Sequence, residues 1–182
     1  MSMNEELNTF IRNLSATEEA YKSWGKVKII NIVTRDGTEI HFYNKIADAI
    51  FTKRKNINFV IITRQEYASE ITEEIPPILD DQAQLLGVSV RVAKTGNAKT
   101  ETKNLLQALQ GRYAAIYSDG RCICLGATID DAYVAAQLLE KTSKAFTEAK
   151  WLGGAKSINR FEAWVMQMYY QFKYAKEAKK NR

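Results

Sequence analysis

Few side chains in this sequence could do acid–base or metal chemistry, and three of them lie close together. The chain has one histidine, His41, the only side chain whose unperturbed pKa lies near neutrality. Cys122 and Cys124 follow Asp119 closely and would share one face of a strand. Two thiolates and a carboxylate would be an unusual metal set, and buried cysteines usually pack as small hydrophobes. Both interpretations stay open at this level.

Two acidic pairs and one basic cluster are the other candidates. Asp80–Asp81 and Asp130–Asp131 resemble paired catalytic carboxylates, but helix capping explains at least one member of each pair. In the cluster Lys53-Arg54-Lys55, both lysines flank an arginine. No lysine stands in an apolar context that would lower its pKa enough for Schiff-base chemistry. These residues favour structural roles over a catalytic site.

The elements that must position these residues alternate between helices and strands. Turn residues near 35–37 and 118–120 predict hairpins, so some strands must pair antiparallel. The stretch 94–102 is the expected flexible loop. Helices are predicted over residues 4–22, 45–52, 65–71, 80–86, 102–110, from the Thr128 N-cap to 149, and 158–178, with strands over 26–33, 38–43, 57–63, 88–93, 114–117 and 122–125.

Length and composition indicate one globular domain with a substantial core. Of 182 residues, 46% are hydrophobic and 26% charged, and no apolar run is long enough to span a membrane. The first twenty residues lack a secretory signal pattern, and two cysteines cannot form a disulfide framework, so we expect a cytoplasmic protein. Nucleic-acid binding has only the basic C-terminal tail in its favour. That tail carries Lys173, Lys176, Lys179, Lys180 and Arg182.

Several segments together resemble a known family. Residues 58–64 read NFVIITR, residues 76–92 read PPILDDQAQLLGVSVRV, and residues 114–140 read AAIYSDGRCICLGATIDDAYVAAQLLE. Over roughly residues 44–152 this pattern resembles the class II aldolase/adducin family, with the L-fuculose-phosphate aldolase-like fold. The resemblance implies one α/β domain over residues 1–182. It would be a three-layer α/β/α arrangement around a mixed, mainly antiparallel sheet, shortened at its N-terminus, with an N-terminal helix in 1–24 and a C-terminal helix and basic tail in 155–182.

The resemblance also locates the family's zinc ligands, which are three histidines and a carboxylate. On this chain those four positions hold Tyr43, Ile62, Arg64 and Asp119. Isoleucine has no donor atom, and arginine stays protonated at any working pH. A catalytic zinc needs at least three N, S or O ligands and one open position. The family's Gly-Asn-x-Ser phosphate loop has no match at residues 23–27, so no zinc or other cofactor is expected.

The emptied metal position leaves a candidate vestigial pocket. Its expected members are His41, Tyr43, Arg64, Tyr67 and Asp119. A buried ion pair between Arg64 and Asp119 would replace the metal as a structural tie. The rival hypothesis is that Arg64 binds an anionic small molecule there. His41 would share a strand face with Tyr43, and the alternative is a hairpin histidine without a special role.

The resemblance predicts a pseudoenzyme that acts by homo-oligomeric assembly or ligand binding. Adducin, whose aldolase-like head serves protein assembly, is the precedent, and members of the family commonly form tetramers. One alternative is a divergent aldolase or other lyase that acts on a small carbonyl or sugar-derived substrate. A second alternative is a basic nucleic-acid-binding module.

The last predicted helix carries many apolar side chains at helical spacing. Such a stripe is most often core. Additional tyrosines make it wider than one core face needs, which indicates an oligomer interface. The stripe comprises Phe161, Trp164, Val165, Met168 and Phe172, and the additional tyrosines are Tyr169, Tyr170 and Tyr174.

Overall fold

A computed structural model describes residues 2–20, 24–36 and 45–180. Its strands are β1 (Val27–Thr34), β2 (Phe59–Gln65), β3 (Arg91–Ala93), β4 (Ala114–Tyr117) and β5 (Arg121–Gly126). They form one sheet in the order β1-β2-β5-β4-β3. Every neighbouring pair is antiparallel except β3 and β4, which are parallel. The predicted mixed, mainly antiparallel sheet is confirmed.

Helices cover both faces of the sheet. They are α1 (Met3–Ala20), α2 (Lys45–Lys53), α3 (Ala98–Ala108), α4 (Ile129–Trp151) and α5 (Arg160–Lys180). One hydrophobic cluster joins α1 and α4 to the sheet, and a second joins α2 and α3 to the opposite face. The three-layer α/β/α prediction is therefore confirmed. No helix within the described parts of the chain combines the length and apolar content that a membrane crossing requires.

The start of α4 is fixed by several contacts at once. The Thr128 side chain accepts from the Asp131 amide while the Asp131 side chain accepts from the Thr128 amide, which confirms the predicted cap. Glu6 of α1 also accepts a hydrogen bond from the Ile129 amide, at 2.9 Å. Gly126, the last residue of β5, lies directly against this first turn, because a Cβ there would overlap the Ala132 nitrogen and the Thr128 carbonyl oxygen.

Three local predictions need correction. The helix predicted over 65–71 is wrong: β2 runs to Gln65, and only Ala68–Glu70 form a 3₁₀ turn. The expected loop 94–102 already contains the first turn of α3, because the Asn97 side chain accepts from the Thr100 amide and begins the helix. Within 88–93 only Arg91–Ala93 form a strand, preceded by a single bridge between Ile75 and Val90.

Of the other local predictions, one helix is confirmed and one strand lies outside the residues that the structure describes. Residues 80–86 are helical, and the π-helical turn Gln82–Leu86 ends at Gly87, whose amide donates to the Gln82 carbonyl. The strand predicted over 38–43 lies outside the described residues.

α5 presents a different face to the body of the protein from the one predicted. Its buried residues are Ala163 and Gln167, which are 0% and 7% exposed. Gln167 donates to the Gly111 carbonyl at 3.0 Å, and Arg160 pairs with Glu74 at 3.0 Å. The prediction of a core stripe is therefore wrong for the aromatic and aliphatic side chains that point outward. The exposed members of the predicted stripe are Phe161, Trp164, Val165 and Phe172, and Tyr169, one of the additional tyrosines, is exposed beside them.

Candidate functional site

Two of the family's metal-ligand positions lie near the end of β2. Ile62 is buried and packs in the cluster that α2 and α3 share with the sheet. Arg64 lies two residues further along and so projects from the same face, but it is exposed at the end of the strand. One position thus holds a core hydrocarbon and the other a cation in contact with solvent.

A third ligand position lies in the tight turn between β4 and β5. Gly120 adopts φ +82°, and its amide donates to the Tyr117 carbonyl at 2.9 Å. The Asp119 carboxylate accepts from the Arg121 amide at 3.1 Å and from Arg121 Nε at 2.8 Å. Burial alone would raise the pKa of Asp119, but the hydrogen bonds from Arg121 lower it below its ordinary value. Both oxygens of the Asp119 carboxylate therefore already accept hydrogen bonds from Arg121.

Arg121 is the centre of this ion-pair cluster. Besides Asp119 it contacts Glu101 of α3, with a separation of 2.7 Å between Nη2 and Oε1. Its guanidinium also stacks over the Tyr117 ring, 4.5 Å from the centroid. Sequence reasoning missed Arg121. The available signal was its place two residues after Asp119 in a predicted hairpin turn.

The predicted ion pair between Arg64 and Asp119 does not form. Asp119 pairs with Arg121, which follows it in the same turn and lies opposite Arg64 in the β2–β5 register. Arg64 is also exposed, so the premise of a buried pair fails. His41 and Tyr43 lie outside the described residues, and their place in the pocket stays a prediction.

These residues do not fit a catalytic zinc. Ile62 offers no donor atom, Arg64 offers a cation, and Asp119 is held by Arg121. Within residues 2–20, 24–36 and 45–180, no three histidine, cysteine, aspartate or glutamate side chains are grouped as a metal site would require.

Tyr67 lies on the α4 side of the sheet instead of beside Asp119. Its amide and that of Ala68 donate to the Glu140 carboxylate of α4, at 2.8 and 2.9 Å. Lys144, also from α4, lies 5.7 Å from the centre of the Tyr67 ring. Tyr67 lines a cavity of about 630 Å³ together with Gln137 and Lys144. Of the predicted pocket, the structure therefore brings Arg64 and Asp119 to one end of the sheet and turns Tyr67 toward α4.

Glu140 is a second residue that sequence reasoning missed. It is fully buried, and burial raises the pKa of its carboxyl despite the hydrogen bonds from Ala68 and Tyr67. An acidic residue on an otherwise apolar face of α4 was the signal that could have found it. Its two backbone contacts fix the turn that follows β2.

The two cysteines do not join Asp119. Both are free and fully buried, in the cluster between the sheet and α4. Burial raises the pKa of the Cys122 thiol to about 12 and raises that of Cys124 as well. Buried protonated thiols are inert. The arrangement therefore favours the packing interpretation of this pair over the metal interpretation.

One end of the sheet presents a row of cations. Arg64 stands directly opposite Lys28 of β1 on one side and Arg121 of β5 on the other. Residues paired in this way lie on one face of the sheet with Cβ atoms about 5 Å apart. Arg121 is neutralised by two carboxylates, whereas Arg64 forms no ion pair within 4 Å in the described chain, and its charge acts on Asp119 only at longer range, where it helps to lower the pKa of that carboxyl. This row can attract an anion.

This architecture is similar to that of a known protein family and of several solved structures. A family model described as class II aldolase and adducin N-terminal domain matches residues 36–147. A solved L-fuculose 1-phosphate aldolase is 14% identical, with 94% of this chain and 98% of that chain covered and a TM-score of 0.73. A search of curated protein sequences finds no match.

Two further solved structures are similar over shorter stretches. The L-fuculose 1-phosphate aldolase from Glaciozyma antarctica PI12 is 22% identical, with 75% of this chain and 58% of that chain covered and a TM-score of 0.55. The L-fuculose 1-phosphate aldolase from Thermus thermophilus is 12% identical, with 71% and 87% covered and a TM-score of 0.54. At these identities the structural likeness shows the fold alone.

Proposed function

Because the chain belongs to the class II aldolase and adducin N-terminal domain family, we propose that it uses the family's fold for homo-oligomeric assembly and not for zinc-dependent aldol cleavage. The proposal rests on the exposure of large apolar side chains on the outward face of α5. There Phe161, Tyr169 and Phe172 are 70%, 72% and 71% exposed. Large exposed apolar patches on folded proteins commonly mark association surfaces.

The chemistry of the ligand positions supports the second half of the proposal. Ile62, Arg64 and the engaged Asp119 leave a zinc ion without the ligands that catalysis in this family needs. We therefore propose a non-catalytic member, for which the adducin head is the precedent. The reducing cytoplasm is its proposed location, which the two free, buried cysteines support.

The test combines molar mass and metal content of the tag-free protein. We expect multi-angle light scattering to show dimers or larger species that dissociate on dilution, and elemental analysis to find far less than one zinc per chain. A monomer at every concentration would overturn the assembly proposal. One zinc per chain together with cleavage of a sugar phosphate would support the alternative of a divergent aldolase or lyase.

A second candidate function, binding of a small anionic ligand, is favoured by the cation row. Arg64 is exposed and lies between Lys28 and Arg121. A carboxylate or phosphate could form a bidentate pair with its guanidinium.

Inorganic phosphate is the simplest probe of this candidate. We expect added phosphate to raise the melting temperature of the wild type and of a Lys156→Ala control, because Lys156 is an exposed cation in the segment before α5. Arg64→Ala should lose most of that rise. Equal stabilisation of Arg64→Ala and the wild type would exclude Arg64 as the anion contact.

A further inference from the structure

The outward face of α5 has a charge at each end. Its apolar residues Phe161, Val165, Tyr169 and Phe172 follow one another at spacings of four, four and three, which puts them on one stripe. Along one edge of this stripe stand Glu162 and Lys173, both exposed. Eleven residues are close to three whole turns, so the two charges share a face about 16 Å apart.

A groove runs along the same edge. It has a volume of about 620 Å³, and Glu162 and Lys173 lie at its ends with apolar and aromatic side chains between them. Neither of these two charged residues forms an ion pair with another residue of the described chain. The groove is lined by Gln84, Glu162, Val165, Met166, Tyr169, Tyr170 and Lys173.

We propose that α5 pairs with α5 of a second copy in an antiparallel, twofold-symmetric arrangement; this inference rests on the proposed function and names the surface that serves it. A twofold axis near the middle of the 162–173 segment places Glu162 of each copy opposite Lys173 of the other. The apolar stripes then cover one another between two ion pairs. A parallel pairing would instead oppose like charges at both ends, which is unfavourable.

The exposed area is sufficient for such a pair. With full side-chain areas of roughly 150–250 Å², the exposed fractions of the four stripe residues amount to about 500 Å² per copy. Complete burial of both stripes would remove about 1,000 Å² from water, which is the size of a weak, transient interface. The two copies should therefore form a reversible dimer. The ion pairs at the two ends of the stripe should contribute measurably to its affinity.

Reversal of the charge at position 162 or 173 tests directly whether the two α5 helices pair antiparallel. We expect Glu162→Lys and Lys173→Glu each to weaken self-association about tenfold in sedimentation equilibrium, because each puts like charges at both ends of the pair. The double variant Glu162→Lys/Lys173→Glu should associate like the wild type. An equimolar mixture of the two single variants should form a heterodimer that is tighter than either homodimer.

Matched controls separate the effect of the ion pairs between the two α5 helices from the effect of net charge on self-association. Glu148→Lys on α4 and Lys156→Glu in the segment before α5 make the same changes in net charge at exposed sites away from the groove. Both should associate like the wild type. Circular dichroism checks that each variant is folded.

The remaining outcomes overturn the inference. If the single exchanges associate like the wild type, or if the double variant stays as weak as the singles, the antiparallel α5 pair is excluded while assembly through another surface stands. If the folded wild type is monomeric at every concentration, the inference and the proposed function both fail.

Discussion

Replacement of Gly126 by alanine is expected to destabilise the fold by about 3 kcal/mol or more, enough to leave much of the protein unfolded at moderate urea concentrations. The added Cβ would overlap the backbone of Thr128 and Ala132 and would approach the Ala132 Cβ to 2.8 Å. Backbone atoms at a capped helix start cannot yield as a flexible side chain can. The strand end and α4 would have to separate.

Urea unfolding followed by circular dichroism measures this loss, and Gly96→Ala is the matched control. A Cβ at Gly96 would meet only the Thr100 side chain, at 3.6 Å, which is ordinary van der Waals contact. That variant should stay within about 0.5 kcal/mol of the wild type. Similar stabilities for the two variants would show that β5 and α4 approach less closely than described.

The second large effect is expected at Arg112, which is only 5% exposed. Its guanidinium donates to the Ser89 carbonyl at 2.9 Å, to the Ser89 hydroxyl at 2.6 Å and to the Gln110 carbonyl at 2.7 Å. Burial lowers the pKa of Arg112 to about 10, so the group is still charged at neutral pH. Arg112→Met would keep the hydrocarbon volume and remove every donor.

We expect Arg112→Met to lose about 3 kcal/mol of unfolding free energy, because buried acceptors would be left without partners. Arg91→Met is the comparison, since Arg91 is 39% exposed and contacts Glu74 at 3.7 Å. Arg91→Met should lose less than about 1 kcal/mol of unfolding free energy, as is usual when a surface ion pair is removed. Chemical denaturation at neutral pH checks both variants, and equal losses would contradict the structural role of Arg112.

The sequence predicted those elements whose ends carry local signals. Thr128 and Asp131 begin α4, and the Ser118–Gly120 turn joins β4 to β5, because each signal acts within four residues. The helix predicted over 65–71 failed for the opposite reason. The Tyr67 and Ala68 amides are held by Glu140, more than seventy residues away. No local pattern shows such a partner.

The candidate site was predictable in its chemistry but not in its pairing. Side-chain types at Ile62 and Arg64 sufficed to exclude them as zinc ligands. The capture of Asp119 by Arg121 depends on the geometry of one turn and on the register of β2 with β5. Helical periodicity likewise placed the α5 residues on faces but did not show which face turns inward. The contact of Gln167 with Gly111 decides that.

The order of the strands has a consequence for synthesis of the chain on the ribosome. β2 pairs with β1, which precedes it closely, but its other neighbour is β5, more than fifty residues later. One edge of an apolar strand therefore stays open until β5 has left the exit tunnel. Long-range pairing of this kind folds slowly, and open strand edges promote aggregation. A truncated chain that ends before Arg121 should consequently depend on chaperones to stay dispersed.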